Sequence, residues 1–440
     1  MKHIHLNLRF FALYGIPLVL YLFGFFMDIF YTVATPALIA CVALTAVDLF
    51  VVFSRKKGIL AKRECDEKFS NGDENKVILY LKNNYTSPML VEVIDEVPVV
   101  FQKRNFSFTT KLKPHQEQSY SYSLRPVKRG EYTFNNINVF VSGPLRLLTR
   151  RYIFDATFTV AVYPSFLQMR KYEMLAISNK LEQTGVKKIR KLGHSREFEK
   201  IKEYVQGDDY RQINWKATAR RSRLMVNTYQ DERSQEIYSI IDMGRAMKMP
   251  FEQMTLLDYA INATLVLSNI AMHKHDKAGV ITFVEKTKSF LPASKQTLQM
   301  NRVLELLYKQ KTSYSESNFE DLYIQIKQGI RQRALLMLYT NFESLSSLRR
   351  QLPYLRMIAK HHLLVVVIFQ NTEVKSIIEK PAEKLSEIYT QTIAEQFSLE
   401  KSLIGKELYK HGINCIITPP KKLTVNSINK YLELKSRGLI

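Results

Sequence analysis

Two apolar runs stand back to back at the N-terminus, and they restrict this chain more than anything that follows. Phe10 to Phe26 reads F-F-A-L-Y-G-I-P-L-V-L-Y-L-F-G-F-F, and Ile29 to Phe53 is a second run broken only by small polar groups and Asp48. Each approaches the roughly 20 residues that span a bilayer as a helix. Only Met27 and Asp28 separate them, so residues 1–55 are expected to form a tight transmembrane hairpin with spans at about 10–26 and 29–53. A cleaved signal peptide fits poorly, because no small-residue cleavage pattern follows the first run and a second apolar run does. A buried soluble hairpin fits poorly too, since Asp28 and Asp48 are the only charges in the pair. Lys2 and Arg9 precede the first span, and Arg55, Lys56, Lys57, Lys62 and Arg63 follow the second. Cations on that side place both ends in the cytoplasm. Arg55, Lys56 and Lys57 would then face anionic headgroups, and Asp48 is expected near the inner interface, close to Arg55.

The remaining length allows two or three domains among 440 residues. Cys41, Cys65 and Cys415 lie too far apart in sequence for a disulfide framework or a cysteine-based metal site, which suits a reducing compartment. From 60 to 165 short runs rich in Val, Ile, Tyr, Phe and Thr alternate with turn residues. The expected strands are Lys76–Lys82, Leu90–Asp95, Ser119–Leu124, Glu131–Phe140 and Thr157–Tyr163. Such spacing predicts an antiparallel sandwich-like domain. It carries no catalytic constellation and reads as a spacer or docking module.

Residues 166–234 form a basic connection. Between Lys187 and Arg223 twelve Lys or Arg stand against five Asp or Glu, a net charge of +7. Its densest part, Glu203 to Met225, reads E-Y-V-Q-G-D-D-Y-R-Q-I-N-W-K-A-T-A-R-R-S-R-L-M and holds Trp215, the one tryptophan. Asp208 or Asp209, after Gly207, is the expected N-cap of a short helix. Ile213 and Ala217 would share one face, with Trp215 packed beside them. Three readings stay open for Gly207, Asp208, Asp209, Arg211, Trp215, Lys216 and Arg220. They are a partly buried ion-pair network joining domains, an anion or phosphopeptide site built on Arg forks, and a catalytic aspartate pair. No nucleophile, glycine cradle or metal-spaced histidine accompanies the last. Interleaved Phe198, Tyr204, Tyr210 and Trp215 would suit stacking on bases, but beside an anionic membrane the net charge of +23 needs no nucleic acid to explain it.

From 235 to 440 apolar strands alternate with helices. Glu236–Asp242, Lys277–Phe283, Thr287–Leu291, Ala334–Asn341, Leu363–Phe369 and Ile413–Pro420 read as strand regions, with helices near 256–274, 298–308, 322–331, 348–360 and 399–410. That alternation predicts a doubly wound, Rossmann-like parallel sheet, whose ligands bind beyond the C-terminal strand ends. Those ends carry Asp242, Thr340 and Asn341.

The block G-D-D-Y-R-Q-I-N-W-K-A-T-A-R, then L-M-V and I-I-D-M-G-R-A-M, resembles the domain of unknown function 58 family. The resemblance covers nearly the whole chain. It implies a bacterial inner-membrane protein with two spans, a β-rich segment and a von Willebrand factor A-like domain. It also implies a partner, an AAA+ ATPase of the MoxR type. A von Willebrand A metal site resembles D-x-S-x-S on the first loop, with a Thr and an Asp on later loops. Here Asp242 matches, Gly244 and Ala246 stand at the serines, and Asn341 replaces the acid, with Thr340 and Glu343 nearby. Too few oxygen ligands remain for tight Mg²⁺. Asp242 is expected to cap its loop or to meet Arg245, or else to keep a remnant site with Thr340 and Asn341 that a partner's carboxylate completes. The leading expectation is a membrane-anchored interaction or scaffold protein. The alternatives are a metal-assisted enzyme at Asp242, Asp208 and Asp209, and a binder of nucleic acid or anionic lipid.

Overall fold

In a computed structural model the described residues are 4–101, 106–177, 196–206, 208, 210–231, 234–251, 254–379 and 384–440. They divide into two compact units, Met1–Tyr163 and Pro164–Ile440.

The first unit runs β1 (Ile4–Leu6), α1 (Leu8–Gly24), α2 (Ile29–Phe53), β2 (Ile59–Cys65), β3 (Lys68–Ser70), β4 (Asn75–Asn83), β5 (Met89–Asp95), β6 (Ser107–Leu112), β7 (Glu117–Leu124), β8 (Gly130–Phe134), β9 (Ile137–Ser142), β10 (Leu148–Phe154) and β11 (Phe158–Tyr163). α1 and α2 pack as the expected hairpin. Tyr14 and Thr45 hydroxyls meet at 3.1 Å, and the Tyr21 hydroxyl donates to Thr35 Oγ1 at 3.3 Å. Outward from these seams most large side chains are apolar and exposed, among them Phe11, Ile16, Leu22, Ile39, Val42 and Phe50. One helix near the N-terminus, α2, is long and apolar enough to cross a membrane. α1 has 17 residues, about 25 Å at about 1.5 Å per residue against an apolar layer of about 30 Å. The expected two-span topology is therefore not supported by length.

The hairpin is bonded at its base to the strands. β1 pairs antiparallel with β10, and the Asn7 amide spans the Arg146 carbonyl and the Thr149 hydroxyl. The last turn of α2 leaves carbonyls that nothing inside the helix can satisfy. The Arg150 guanidinium takes that of Val52 and, just past the helix, those of Arg55 and Lys56, and the Tyr85 hydroxyl takes Val52 as well. Asp48 is buried, but not beside Arg55. Its Oδ2 accepts the backbone N–H groups of Leu147 at 2.9 Å and Leu148 at 3.0 Å. Gly143 leaves room for it, since a Cβ there would lie 2.3 Å from Asp48 Oδ1.

The strands form a five-stranded sheet, β1-β10-β9-β5-β6, and two three-stranded sheets, β2-β4-β7 and β3-β11-β8. Inward residues alternate along β4 and β5, so Leu79 and Leu81 meet Val91, Val93, Val139 and Val141 in one core. The expected strand 131–140 is two strands in two sheets. The break falls at Asn135 and Asn136, whose backbones bond to Glu96 rather than continuing a ladder. Inside this unit lies a full ion pair. The Arg63 guanidinium grips both oxygens of Asp95, donates to the carbonyls of Ala156 and Asn135, and sits 4.7 Å over the Phe134 ring. The Tyr122 hydroxyl donates to the same carboxylate.

The second unit runs α3 (Phe166–Ile177), β12 (Arg196–Glu203), α4 (Trp215–Arg221), β13 (Met225–Asp231), β14 (Glu236–Asp242), β15 (Pro250–Phe251), β16 (Met254–Thr255), α5 (Leu256–His273), β17 (Lys277–Phe283), β18 (Thr287–Ser294), α6 (Gln299–Tyr308), α7 (Phe319–Gly329), β19 (Leu335–Thr340), α8 (Leu345–His361), β20 (Leu363–Phe369), α9 (Thr372–Glu379), α10 (Leu385–Lys410), β21 (Asn414–Thr418) and α11 (Leu423–Ser436). Its main sheet has the order β18-β17-β14-β19-β20-β21. Neighbours pair in parallel except β18, which is antiparallel to β17. The expected all-parallel sheet fails at that edge because residues 284–286 are too few for a crossover, so the chain must turn as a hairpin. Buried α5, begun by a Thr255–Asp258 capping box, packs on one face, and α7 and α8 on the other.

Candidate functional site

The tryptophan block is built on a hairpin. β12 and β13 pair antiparallel, and α4 lies between them in sequence. Its N-cap is Asn214, not Asp208 or Asp209. Asn214 Oδ1 accepts the Ala217 N–H at 3.0 Å while its Nδ2 donates to Asn227 Oδ1 at 2.9 Å. An amide can do both at once, whereas a carboxylate only accepts. The Thr218 hydroxyl accepts the Met225 N–H at 3.0 Å, tying α4 to β13, and Ser222 ends the helix in the left-handed region at φ 50°.

These bonds hold the backbone and leave the rings outside. Trp215 is 70 % exposed and Tyr210 68 %, which corrects the expectation of a packed tryptophan. Arg211 lies 5.7 Å from the Tyr210 ring centroid. Lys216 and Arg220 are exposed beside them. Asp208 sits in its own turn, accepting from Lys202 Nζ at 2.8 Å and Val205 N–H at 3.0 Å, and these two bonds, Lys202 first, hold its carboxyl below the usual range. Gly207 and Asp209 lie outside the described residues, as do Lys187, Lys188, Arg190 and Lys191. The described residues of the block hold two ion pairs of the expected partly buried network. Its pairs, Lys202–Asp208 and Glu203–Arg223, are partly or largely exposed.

The second candidate region is the C-terminal end of β14 and β19. These strands are neighbours, so Asp242 and Thr340 meet, with Thr340 Oγ1 donating to Asp242 Oδ2 at 2.6 Å. Asp242 Oδ1 accepts the Gly244 N–H at 2.8 Å, which closes the loop, and also the Ser317 hydroxyl. Burial pushes the Asp242 carboxyl up, and the bonds from Ser317, Thr340 and Gly244 oppose that shift. Arg245 makes no ion pair with Asp242. Its backbone N–H goes to the Ser315 carbonyl, and its side chain joins Glu316, Glu343 and Arg350 around an open polar cleft.

Ser317 was not legible in the sequence. It arrives from a loop 75 residues away, and its one signal is Gly244, where a Cβ would stand 2.1 Å from its hydroxyl. Asn341 is not in this cluster's bonding. Its Oδ1 accepts from Lys401 Nζ. The oxygen groups bonded to one another here are thus one carboxylate and two hydroxyls, with Glu316 and Glu343 lining the same cleft. Among the described residues Asp208 bonds within its hairpin turn and shares no partner with Asp242.

Residues 200–380 match the family model described as protein of unknown function DUF58. A curated relative, the uncharacterized protein YeaD of Bacillus subtilis (strain 168), is 26 % identical over 191 residues, 41 % of this chain and 47 % of the relative. The match therefore spans about half of that relative's length. Among solved structures, the conserved hypothetical protein BatB of Bacteroides thetaiotaomicron aligns with 47 % of this chain and 100 % of its own at 14 % identity and a TM-score of 0.31. The ASH/PapD-like domain of human CEP192 aligns with 24 % of this chain and 87 % of its own at 13 % identity and a TM-score of 0.18. Likenesses that weak carry no argument about this molecule. The family model and the B. subtilis relative together support the DUF58 family, whose description assigns no activity.

Proposed function

We propose that this chain is a membrane-anchored, cytoplasm-facing interaction platform. On this reading its α/β unit is von Willebrand A-like and works with an AAA+ ATPase of the MoxR type in assembling or maturing a complex. The observation that carries the proposal is the outward display of Trp215 and Tyr210 beside Arg211, Lys216 and Arg220, within the family-matched residues. Trp, Tyr and Arg are the residues on which protein interfaces most often depend. Asn214 and Thr218 spend their bonds on holding that display rigid, which lowers the ordering cost of binding.

In the same proposal α2 crosses the bilayer and α1 returns beside it, with the aromatic tip Phe25 and Phe26 on the far side. Exposed Arg55, Lys56 and Lys57 then face anionic headgroups on the cytoplasmic side. Affinity capture from solubilised membranes tests the reading with the full chain and its Trp215→Ala variant. Wild type should retain an AAA+ ATPase that the variant loses while its thermal unfolding is unchanged. Equal recovery by both, or recovery by neither, would overturn the proposal.

A further inference from the structure

The α/β unit holds a second, apolar cleft of about 190 Å³, beyond the C-terminal ends of β19 and β20. Met249, Phe251, Leu256, Phe369, Val374 and Phe397 line it. An apolar cavity of about 150 Å³ accepts a benzene molecule, so the space suits one aliphatic or aromatic side chain. At its wall stands Lys401. The Lys401 ammonium donates to Asn341 Oδ1 and to the Phe342 carbonyl, which uses two of its three N–H groups. No carboxylate lies within ion-pair distance of it among the described residues. Even a half-buried cation without an ion-pair partner is costly. Burial lowers the Lys401 pKa to about 8 even though Glu343 and Glu400, the nearby acids, work the other way.

α10 leads into this cleft. Leu385, Tyr389, Ile393 and Phe397 follow one another at four-residue steps and are all exposed, and the next step is Lys401. Side chains at that spacing form a continuous ridge on a helix. The ridge from Leu385 to Lys401 is about 24 Å long at about 1.5 Å per residue. A small fatty acid would leave most of it uncovered.

We propose that this cleft receives the C-terminal end of a partner polypeptide, its terminal carboxylate on Lys401, its last apolar side chain in the cleft, and its preceding residues along the α10 ridge. This rests on the interaction-platform reading but uses a surface separate from Trp215. The test uses the full chain in lipid nanodiscs and a fluorescent alanine–leucine peptide ending in leucine, with either a free or an amidated C-terminus. Fluorescence anisotropy should show the free acid binding roughly tenfold or more tightly than the amide, the scale of one charge-assisted hydrogen bond. Lys401→Met should abolish that preference, Val374→Trp should block both peptides by filling the cleft, and Trp215→Ala should change neither. Thermal unfolding checks that each variant is folded. Equal binding of acid and amide by wild type, or no binding, overturns the proposal. So does octanoate competing as well as the free-acid peptide, which would make this a fatty-acid site. Because Trp215→Ala is a separate arm, loss of ATPase capture and loss of peptide binding are told apart.

Discussion

Two regions of this molecule pair acids with cations around aromatic rings, and they end in opposite states. In the strand-rich unit the Arg63 and Asp95 side chains are 2 % and 0 % exposed, enclosed by Tyr122 and Phe134. In the tryptophan block the Lys202–Asp208 pair is 40 % and 22 % exposed, and Trp215 faces outward. The sequence advertises the second region, where charges crowd within a few residues. It hides the first, whose partners stand 32 residues apart. Crowded charges are cheap to leave in water and gain little from pairing there. A lone Arg and a lone Asp, drawn into a core by strands that must pack, have to find each other because neither can stay buried alone.

Breaking the buried pair should have the largest effect. Asp95→Ala leaves a guanidinium uncompensated in the core and should cost the first unit about 3–5 kcal/mol; chemical denaturation of the full chain followed by near-UV circular dichroism would check it. Asp48→Ala tests whether a lone buried carboxylate is structural when its partners are backbone. It strands the N–H groups of Leu147 and Leu148, at about 1–3 kcal/mol for each, and hydrogen exchange at β10 should rise.

Lys401 sharpens the comparison as a half-buried charge that makes no ion pair among the described residues, with Glu343 and Glu400 nearby. Its folded pKa of about 8 lies below its ordinary 10.5. Below about pH 8 both states hold the proton, and the cost of burying the charge is fully present. Between about 8 and 10.5 the unfolded chain holds a proton that the folded one has released, so wild-type stability should rise with pH through that window. The difference of about 2.5 units sets a ceiling of about 3 kcal/mol. Lys401→Met should remove this rise, and denaturation midpoints at pH 7 and pH 10 would show it. The smallest effect on folding is expected at Trp215→Ala, within about 0.5 kcal/mol, by thermal unfolding. A large loss there would erase the contrast between the two regions.

What the sequence makes legible is local. The apolar runs of α1 and α2, the alternation of β4 and β5, and the uniform apolarity of β14, β19 and β20 all report burial through nearby residues. β10 went unread because Arg150 and Arg151 interrupt its pattern, although Arg150 is the group that caps α2. The first half of α10 went unread because its apolar ridge faces outward rather than into a core.

The amino-acid order alone determined the two apolar N-terminal helices and most strands of the main sheet, since periodicity and length act over a few neighbouring residues. Only the tertiary structure decided that Asp48 meets β10, that Ser317 rather than Arg245 meets Asp242, and that Asn341 turns to Lys401. Those pairings close loops of tens of residues, and a buried polar group takes whichever partner the packed backbones bring within about 3 Å.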